Sequence, residues 1–292
     1  MRLGAVIAGI TAALLALALS GCAALRAPRS ARKQVAAIQT AQGRELSRNA
    51  QAAIDNHDDA AALAFLTQLA AIEPRSAEVQ NRLGGVLQQL GRNAEAEAAY
   101  RKALGLDREY VGALIGLGSI EAAVGRPQEA LKRFDDALEI DPHQAGAHLG
   151  RAHALESLGN PDDALAAYFR VLEFAPNSTD ARLRVSVLQL AANAPDQALT
   201  RLDTLVEQDP DNLEARFQRG RAHLALNHNA QARDDLQLAV AKLPNRPDIL
   251  YNLALALAAH NETKAALAAA DQALRLAPDY ADARTLSAKL RR

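Results

Sequence analysis

The most reactive side chain in this sequence is a thiol near the N-terminus. Cys22 is the single cysteine among 292 residues, which excludes internal disulfides and multi-cysteine zinc sites. Its neighbours Ser20 and Gly21 are small, so an enzyme working at a membrane surface could reach the sulfur. The chemistry that we expect at Cys22 is covalent modification of the thiol.

Seven histidines are the other candidates for metal or acid–base chemistry. His143, His148 and His153 are close in sequence, but residues five apart do not share one face of a helix. No His-x-x-x-His pair with a nearby acid occurs. We therefore expect packing or surface roles for the histidines, with no metal and no cofactor.

A glycine-rich run at Gly112, Gly116 and Gly118 has some likeness to a nucleotide-binding loop. It lies inside a predicted helix, no strand precedes it, and the third glycine is not at the required place. The sequence also lacks Gly-x-Ser-x-Gly and the phosphate-binding Gly-Lys-Ser motif. These patterns predict neither enzymatic activity nor a small-molecule substrate.

The composition indicates helices packed through small side chains. Hydrophobic residues make up 49% of the chain and aromatic residues only 3%, so alanine and leucine must build the core. The 33 basic and 34 acidic residues nearly cancel. Nucleic-acid binding needs a basic excess, so this composition argues against a nucleic-acid partner.

The first 21 residues have the pattern of a secretory signal: Arg2 precedes an uncharged apolar run from Leu3 to Leu19. The following Leu19-Ser20-Gly21-Cys22 resembles the bacterial lipobox, which implies removal of residues 1–21 and lipidation of Cys22. Lipid chains at Cys22 would then anchor the protein to a membrane. The alternative is an uncleaved helix followed by an incidental cysteine.

The residue after the cysteine bears on the destination of the lipoprotein. Ala23 stands where the inner-membrane retention signal of this class is typically aspartate. This resemblance therefore implies an outer-membrane lipoprotein that faces the periplasm. Residues 22–42 are expected to form the lipidated cysteine, a short tether and the start of the first helix.

Prolines recur at intervals of 34 residues through the rest of the chain. The regular series is Pro142, Pro176, Pro210, Pro244 and Pro278. Pro74 lies two periods before Pro142, and Arg108 occupies the skipped position. Taken as position 32 of a repeat, these positions define seven units: 43–76, 77–110, 111–144, 145–178, 179–212, 213–246 and 247–280.

Two further positions support the same frame. Position 20 is alanine in every unit. Position 15 is histidine, glycine or asparagine, and glycine and asparagine tolerate the left-handed conformation that closes a helix. Each unit is predicted to contain helix A at positions 1–14, a turn at 15–16 and helix B at 17–31.

This pattern resembles the tetratricopeptide repeat, in which bulky and small residues alternate at fixed positions. Leu83, Gly84, Ala96 and Tyr100 illustrate it in the second unit. The resemblance implies an all-α, right-handed α-solenoid of about seven helix pairs, because one pair alone cannot bury its apolar face. Residues 281–292 are expected to form the capping helix.

The resemblance also implies that helix A positions 2, 5, 9 and 12 line a concave groove. Side chains at positions 5, 9 and 12 become more apolar toward the C-terminal end, as in helix-in-groove recognition of a partner, whereas position 2 adds an acidic edge. The residues predicted to bind a partner are Ile115, Leu149, Leu183, Val187, Leu190, Phe217, Leu224, Tyr251 and Leu255. The alternative is that these side chains only pack against the next helix.

The layout as a whole resembles the assembly lipoproteins and pilotins of type IV and Flp pili. It implies a lipid-anchored scaffold that binds other envelope proteins or peptide segments and helps to assemble an envelope machine. Two alternatives remain. One is an adaptor that regulates cell-wall hydrolases or proteases, and the other is a component of outer-membrane protein insertion or exopolysaccharide export.

Overall fold

The computed structural model of the protein describes residues 29–292, with side-chain surroundings from Thr40 onward. This part of the chain forms fifteen α-helices and no β-strand, which confirms the predicted all-α class. None of these helices is both long and apolar enough to cross a membrane. The predicted signal peptide (1–21) and the predicted lipidation site Cys22 lie outside the described residues.

The chain divides into two compact units, and the first unit ends at Gly125. Helices that follow one another along the chain pack together within it. Residues 30–42 belong to its long first helix, which continues without a break into helix A of the first repeat. The helices of the first unit are α1 (Arg29–Asp55), α2 (Asp59–Ile72), α3 (Ala77–Gln89), α4 (Asn93–Leu106) and α5 (Val111–Ala123).

The second unit comprises residues 126–292 and repeats the same alternation of helices. Helix A has 13 residues and helix B has 14 in each pair that it contains. Its helices are α6 (Pro127–Ile140), α7 (Ala145–Ser157), α8 (Pro161–Phe174), α9 (Thr179–Ala191), α10 (Pro195–Gln208), α11 (Leu213–Ala225), α12 (Asn229–Lys242), α13 (Pro247–Ala259), α14 (Thr263–Leu276) and α15 (Ala281–Leu290).

Each helix A closes at a residue in the left-handed conformation, as position 15 predicts. Glycine adopts this conformation without steric cost, and asparagine tolerates it better than most residues do. The next helix then begins two residues later, with proline as its first residue in α6, α8 and α10. The residues with positive φ at position 15 are His57, Gly91, Gly125, Gly159, Asn193, Asn227 and Asn261.

The alanine at position 20 is a core residue in every repeat. Every one of these alanines has no exposed surface, so a larger side chain would displace a neighbouring helix. Small residues therefore set the close spacing that the composition predicts. The seven alanines are Ala62, Ala96, Ala130, Ala164, Ala198, Ala232 and Ala266.

Glycines make room for aromatic rings between consecutive repeats. In the first unit the buried ring of Tyr100 contacts both α3 and α5 at glycines. A Cβ atom built at Gly116 would lie 2.3 Å from Tyr100 Cζ, and one built at Gly84 would lie 2.7 Å from Tyr100 Cε1. In the second unit a Cβ atom built at Gly150 would lie 2.3 Å from Phe134 Cζ, so this glycine makes room for the phenyl ring in the same way.

The last helix, α15, covers the end of the second unit. Ala283 is fully buried with Leu250 of α13 and Ala273 of α14, and Leu286 packs against a neighbouring hydrophobic cluster. Ser287 donates a hydrogen bond to Asp271 Oδ1 at 2.7 Å. Because the residues on the other side of α15 are mostly polar and exposed, this helix presents a polar surface at the end of the stack.

Candidate protein-binding site

The first unit contains an open cavity of about 690 Å³, which we call the N-terminal cavity. Side chains of α1, α3 and α5 form its walls, and Tyr100 of α4 forms part of its floor. The lining residues include positions 5, 9 and 12 of helix A in the first two repeats and positions 2, 5 and 9 in the third. These are the positions that the family pattern assigns to a groove.

The floor of the cavity is rigid because Tyr100 is fixed at both ends. Its ring is buried between Gly84 and Gly116, and its hydroxyl donates a hydrogen bond to Gln88 Oε1 at 3.0 Å. Burial raises the pKa of Tyr100 to about 12, so the hydroxyl remains a donor well above neutral pH. The hydrogen bond therefore orients the Gln88 side chain.

Arg82 connects two walls of the cavity. Its Nη1 donates to Ser47 Oγ at 2.9 Å, and its Nη2 donates to the Ser47 carbonyl and to Gln51 Oε1, both at 3.3 Å. Gln51 in turn donates to Asp55 Oδ1 at 2.8 Å. This network ties α3 to α1 and holds the polar wall in place.

Other polar groups of the cavity have free hydrogen-bonding capacity within the described part of the structure. The Asn81 amide has no hydrogen-bond partner among the described residues, and neither has the Nε2 group of Gln88. Arg48 is exposed, and its Nε makes only a long 3.4 Å contact to the Arg44 carbonyl. The cavity thus offers amide donors and acceptors together with a guanidinium group.

The charge of the lining is positive. Arg48 and Arg82 face the cavity, and Glu78 is the only acidic residue that lines it. The same Glu78 raises the pKa of the neighbouring Tyr110, although burial is the larger cause of that rise. An anionic group on a ligand would be favoured at the arginine side of this cavity.

The nine residues predicted to bind a partner have different environments in the structure. Ile115 is half-buried and lines the N-terminal cavity. Val187 and Leu255 are half-buried in the second unit. The remaining half-buried residues pack against hydrophobic cores of the second unit: Leu149, Leu183, Leu190, Leu224 and Tyr251.

Phe217 differs from the prediction, because it is not available on the surface. Only 4% of it is exposed, and it belongs to the core that α11 shares with α12 and α13. The guanidinium carbons of Arg246 and Arg221 lie 5.5 and 5.9 Å from the centre of its ring. Long side chains from neighbouring positions cover this ring, so the packing alternative is correct for Phe217.

A second polar cluster in the second unit combines helix A side chains of two repeats with Tyr168 of α8. Tyr168 donates to Glu156 Oε2 at 2.9 Å, Arg184 also binds Glu156, and His153 contacts both Tyr168 and Asp180 at 2.9 Å. Burial pushes the pKa of Glu156 upward, but hydrogen bonds from Arg184 and Tyr168 outweigh burial and lower it. Because these groups pair with one another, the cluster joins α7, α8 and α9.

The described residues contain no group of three or more His, Cys, Asp or Glu side chains placed to hold a metal ion. Two of the three clustered histidines are instead engaged in packing. His148 is buried, hydrogen-bonded to the Pro142 carbonyl at 2.9 Å, and stacked on Phe174. His143 meets the same ring edge-on.

The sequence pattern favours the apolar helix A positions of the C-terminal repeats and does not select the polar residues of the N-terminal cavity. Asn81 occupies position 5 of the second repeat, at the polar end of the gradient along the helix A positions. Gly112, at position 2, was considered only as part of a nucleotide-loop pattern. The signal that would have identified the cavity was the combination of amides and glycines at groove positions of consecutive repeats.

Comparison with sequence families agrees with this geometry. Models described as tetratricopeptide repeat match residues 75–143, 121–188, 189–238 and 217–281. Together these matches cover most of the chain, from the second predicted repeat through the seventh. No curated protein matches the sequence.

Solved structures of similar fold are numerous, and three illustrate the likeness. PilF of Pseudomonas aeruginosa is 16% identical with a TM-score of 0.64, covering 73% of this chain and 97% of its own. YrrB, described as a TPR protein with an unusual peptide-binding site, is 24% identical with a TM-score of 0.57, covering 64% of this chain and 96% of its own.

A tetratricopeptide repeat protein from Parabacteroides merdae is 19% identical with a TM-score of 0.56, covering 86% of this chain and 99% of its own. At these identities the likeness shows the fold, which is one suited to protein–protein interaction. The family matches, the 34-residue period and the helix bounds agree, and the chain belongs to the tetratricopeptide-repeat family.

Proposed function

We propose that this protein is a lipid-anchored, non-enzymatic scaffold that binds partner proteins and assists the assembly of an envelope machine, such as a type IV or Flp pilus. The observation that carries the binding role is the N-terminal cavity. It lies at groove positions of consecutive repeats, and its amide and guanidinium groups are open to a ligand. Polar groups without internal partners favour a ligand that can supply hydrogen bonds.

The family resemblance supports the choice of a protein or peptide as the ligand. YrrB has a peptide-binding site according to its description, and PilF is a structural neighbour of this chain. The lipobox-like Leu19-Ser20-Gly21-Cys22 supports an anchor at the periplasmic face of the outer membrane. A lipoprotein of this layout is compatible with pilus assembly.

The predicted apolar contact residues remain part of the proposal where their side chains are accessible. Ile115 supplies an apolar contact within the N-terminal cavity. Val187 and Leu255 are the half-buried candidates in the second unit that are not part of a described core cluster. Phe217 is removed from the set because it is buried.

The anchor is tested by replacing the only thiol. Cys22→Ser should prevent lipidation and release the protein from the outer-membrane fraction, because the hydroxyl is a much poorer nucleophile than a thiolate. Membrane fractionation and mass spectrometry of the N-terminus give the two readouts. Retention of an unmodified Cys22→Ser protein in the outer membrane at the wild-type level would contradict the anchor.

Partner binding is tested by filling the N-terminal cavity. Gly112 is exposed, and a Cβ built there would lie 3.2 Å from the Asn81 amide, so Gly112→Leu places an apolar side chain over Asn81. Gly105→Leu is the matched control, since Gly105 is also an exposed helical glycine and no atom lies within 4 Å of its Cβ position.

We expect Gly112→Leu to lose cross-linked partners from envelope extracts while Gly105→Leu keeps them. Equal recovery of the same partners by both variants would show that the N-terminal cavity is not the binding site. Circular dichroism of both variants checks that the helices are intact.

A further inference from the structure

We propose that His223 and His228 form a binding site for one zinc ion at the turn between α11 and α12, in the sixth repeat. Both residues belong to the second unit, so this site is separate from the N-terminal cavity and adds a metal to the proposed scaffold. It departs from the expectation that the histidines of this chain have only packing or surface roles.

The backbone of the turn brings the two histidines together. Residues five apart do not share a face of a continuous helix, but α11 ends between these two. Asn227 has a φ of 60°, and its N–H donates to the Leu224 carbonyl at 3.0 Å. The N–H of His228 donates to the His223 carbonyl at 2.8 Å, which completes a Schellman motif. The chain therefore returns to the last turn of α11, and the spacing of five that argues against a metal pair in a helix favours one here.

The distance between the two rings suits a tetrahedral zinc ion. The Nδ1 atoms of His223 and His228 lie 3.4 Å apart, which is long for a hydrogen bond. Zinc binds histidine nitrogens at about 2.0–2.1 Å, so two nitrogens on one tetrahedral ion are about 3.3–3.4 Å apart. The pair already has the separation of two ligands of the same ion, and imidazole is a ligand type that suits zinc.

Neither the packing pattern of the repeats nor helix capping explains the pair. His223 is at position 11, which is a buried leucine in three other repeats (Leu87, Leu155 and Leu257). His228 is the N-cap residue of α12, but its side chain makes no capping hydrogen bond. No other repeat has histidine at both position 11 and position 16. Two metal-ligating side chains therefore replace the usual residues at this one turn.

The surroundings define the kind of zinc site. The ring of His228 is exposed, which gives an ion access from solvent, whereas His223 is buried. The two carboxylates that act on His223 are held by arginines: Asp235 by Arg216 and Arg219 at 3.1 and 2.7 Å, and Asp203 by Arg219 at 3.2 Å. Water molecules would therefore complete the coordination. With two protein ligands instead of the four of a structural zinc site, the ion would exchange with solution.

Isothermal titration calorimetry of the full-length protein in detergent, with zinc chloride at neutral pH, tests the proposal. We expect one zinc ion per chain. Loss of a group that only orients a ligand costs about 10–100-fold in metal affinity, so His228→Gln, which removes a ligand, should weaken zinc binding by about tenfold or more. The matched control is His260→Gln, at an exposed histidine that ends helix A of the seventh repeat, and it should keep the wild-type affinity. Magnesium chloride should give no binding that depends on His228, because magnesium prefers oxygen ligands.

Two further measurements locate the ion. Ring ¹⁵N resonances of His223 and His228 should shift together during a zinc titration of the wild-type protein. Zinc should also raise the thermal unfolding midpoint of the wild type and of His260→Gln, but not that of His228→Gln, because an ion that binds only the folded pair stabilises the folded state.

Three results would overturn the zinc site. The first is equal zinc affinity of the wild type and His228→Gln. The second is the absence of stoichiometric zinc binding by the wild type, which would leave the two rings as a long hydrogen-bonded pair. The third is a zinc-dependent shift at only one of the two rings. None of these results concerns the N-terminal cavity, so the proposed function would stand in each case.

Discussion

Alanine substitutions at Gly116 and Gly85 separate the packing of Tyr100 from the general effect of removing a helical glycine. Both glycines are in helix A and line the N-terminal cavity. Alanine stabilises a helix interior by about 0.5–1 kcal/mol relative to glycine, and this gain applies to both variants. The difference between the variants therefore measures the contact with the ring.

The geometry gives the size and sign of that difference. A Cβ at Gly116 would lie 2.3 Å from Tyr100 Cζ, while one at Gly85 would have only Tyr100 Oη in contact, at 3.8 Å. The ring cannot move aside cheaply, because it is buried and its hydroxyl is bound to Gln88. Overpacking costs about 1–3 kcal/mol, so Gly116→Ala should be less stable than Gly85→Ala by about that amount.

Urea unfolding followed by circular dichroism provides the assay, with a double variant as an internal check. Tyr100→Ala removes the clash, so adding Gly116→Ala to Tyr100→Ala should cost little or even stabilise the protein. This non-additivity is the signature of a direct contact. A Gly116→Ala variant at least as stable as Gly85→Ala would refute the assignment of Tyr100 to the space between the helices.

Three further variants test features of the second unit. Asp235→Ala leaves Arg216 and Arg219 without their buried partner and should lower the free energy of unfolding by about 3 kcal/mol. Asp234→Ala, at a 66% exposed side chain, should change it little, and chemical denaturation compares the two variants. Phe217→Ala removes a buried ring from a core and should cost about 3–5 kcal/mol. Leu238→Ala, at a 40% exposed site, is its control in thermal unfolding. Burial lowers the pKa of His223, so the unfolded chain binds more protons once the pH falls below its ordinary value of about 6.5, and stability should fall with the pH there. His223→Gln should flatten this dependence, and an unchanged slope would contradict it.

The sequence predicts the helices well because local rules set their bounds. Helix A is predicted at positions 1–14 and helix B at 17–31, and the structure has 1–13 and 17–30 in the fourth repeat. The left-handed residue at position 15 ends one helix, and the proline at position 32 follows the end of the other. Both signals act through backbone geometry, which the residue type fixes almost alone.

The exposure of individual side chains was harder to predict because it depends on residues far along the chain. Phe217 occupies a groove position, yet Arg246, the last residue of the same repeat, covers its ring. The N-terminal cavity exists partly because Gly84 and Gly116 admit Tyr100 from a different helix. No periodicity within one repeat encodes such contacts, so the pattern located the groove positions but not the residues left open on them.

The division of the chain into two compact units is also not visible in the 34-residue pattern. The boundary at Gly125 falls in the turn of the third repeat, where glycine closes helix A as it does in neighbouring repeats. The residues of this turn follow the same pattern as those of the other turns, with a left-handed residue at position 15. A period in sequence therefore describes the local helix pairs and leaves the larger grouping of helices undetermined.

Site-specific photo-crosslinking in cells tests whether partner proteins contact the N-terminal cavity. A benzoylphenylalanine at Gln89, an exposed residue of the cavity wall, should form a covalent adduct with a partner protein on irradiation. The same group at Gln237, an exposed residue of helix B in the second unit, should not form that adduct, and Gly112→Leu should abolish the adduct from position 89. An adduct from position 237 with none from position 89 would contradict partner binding at the N-terminal cavity.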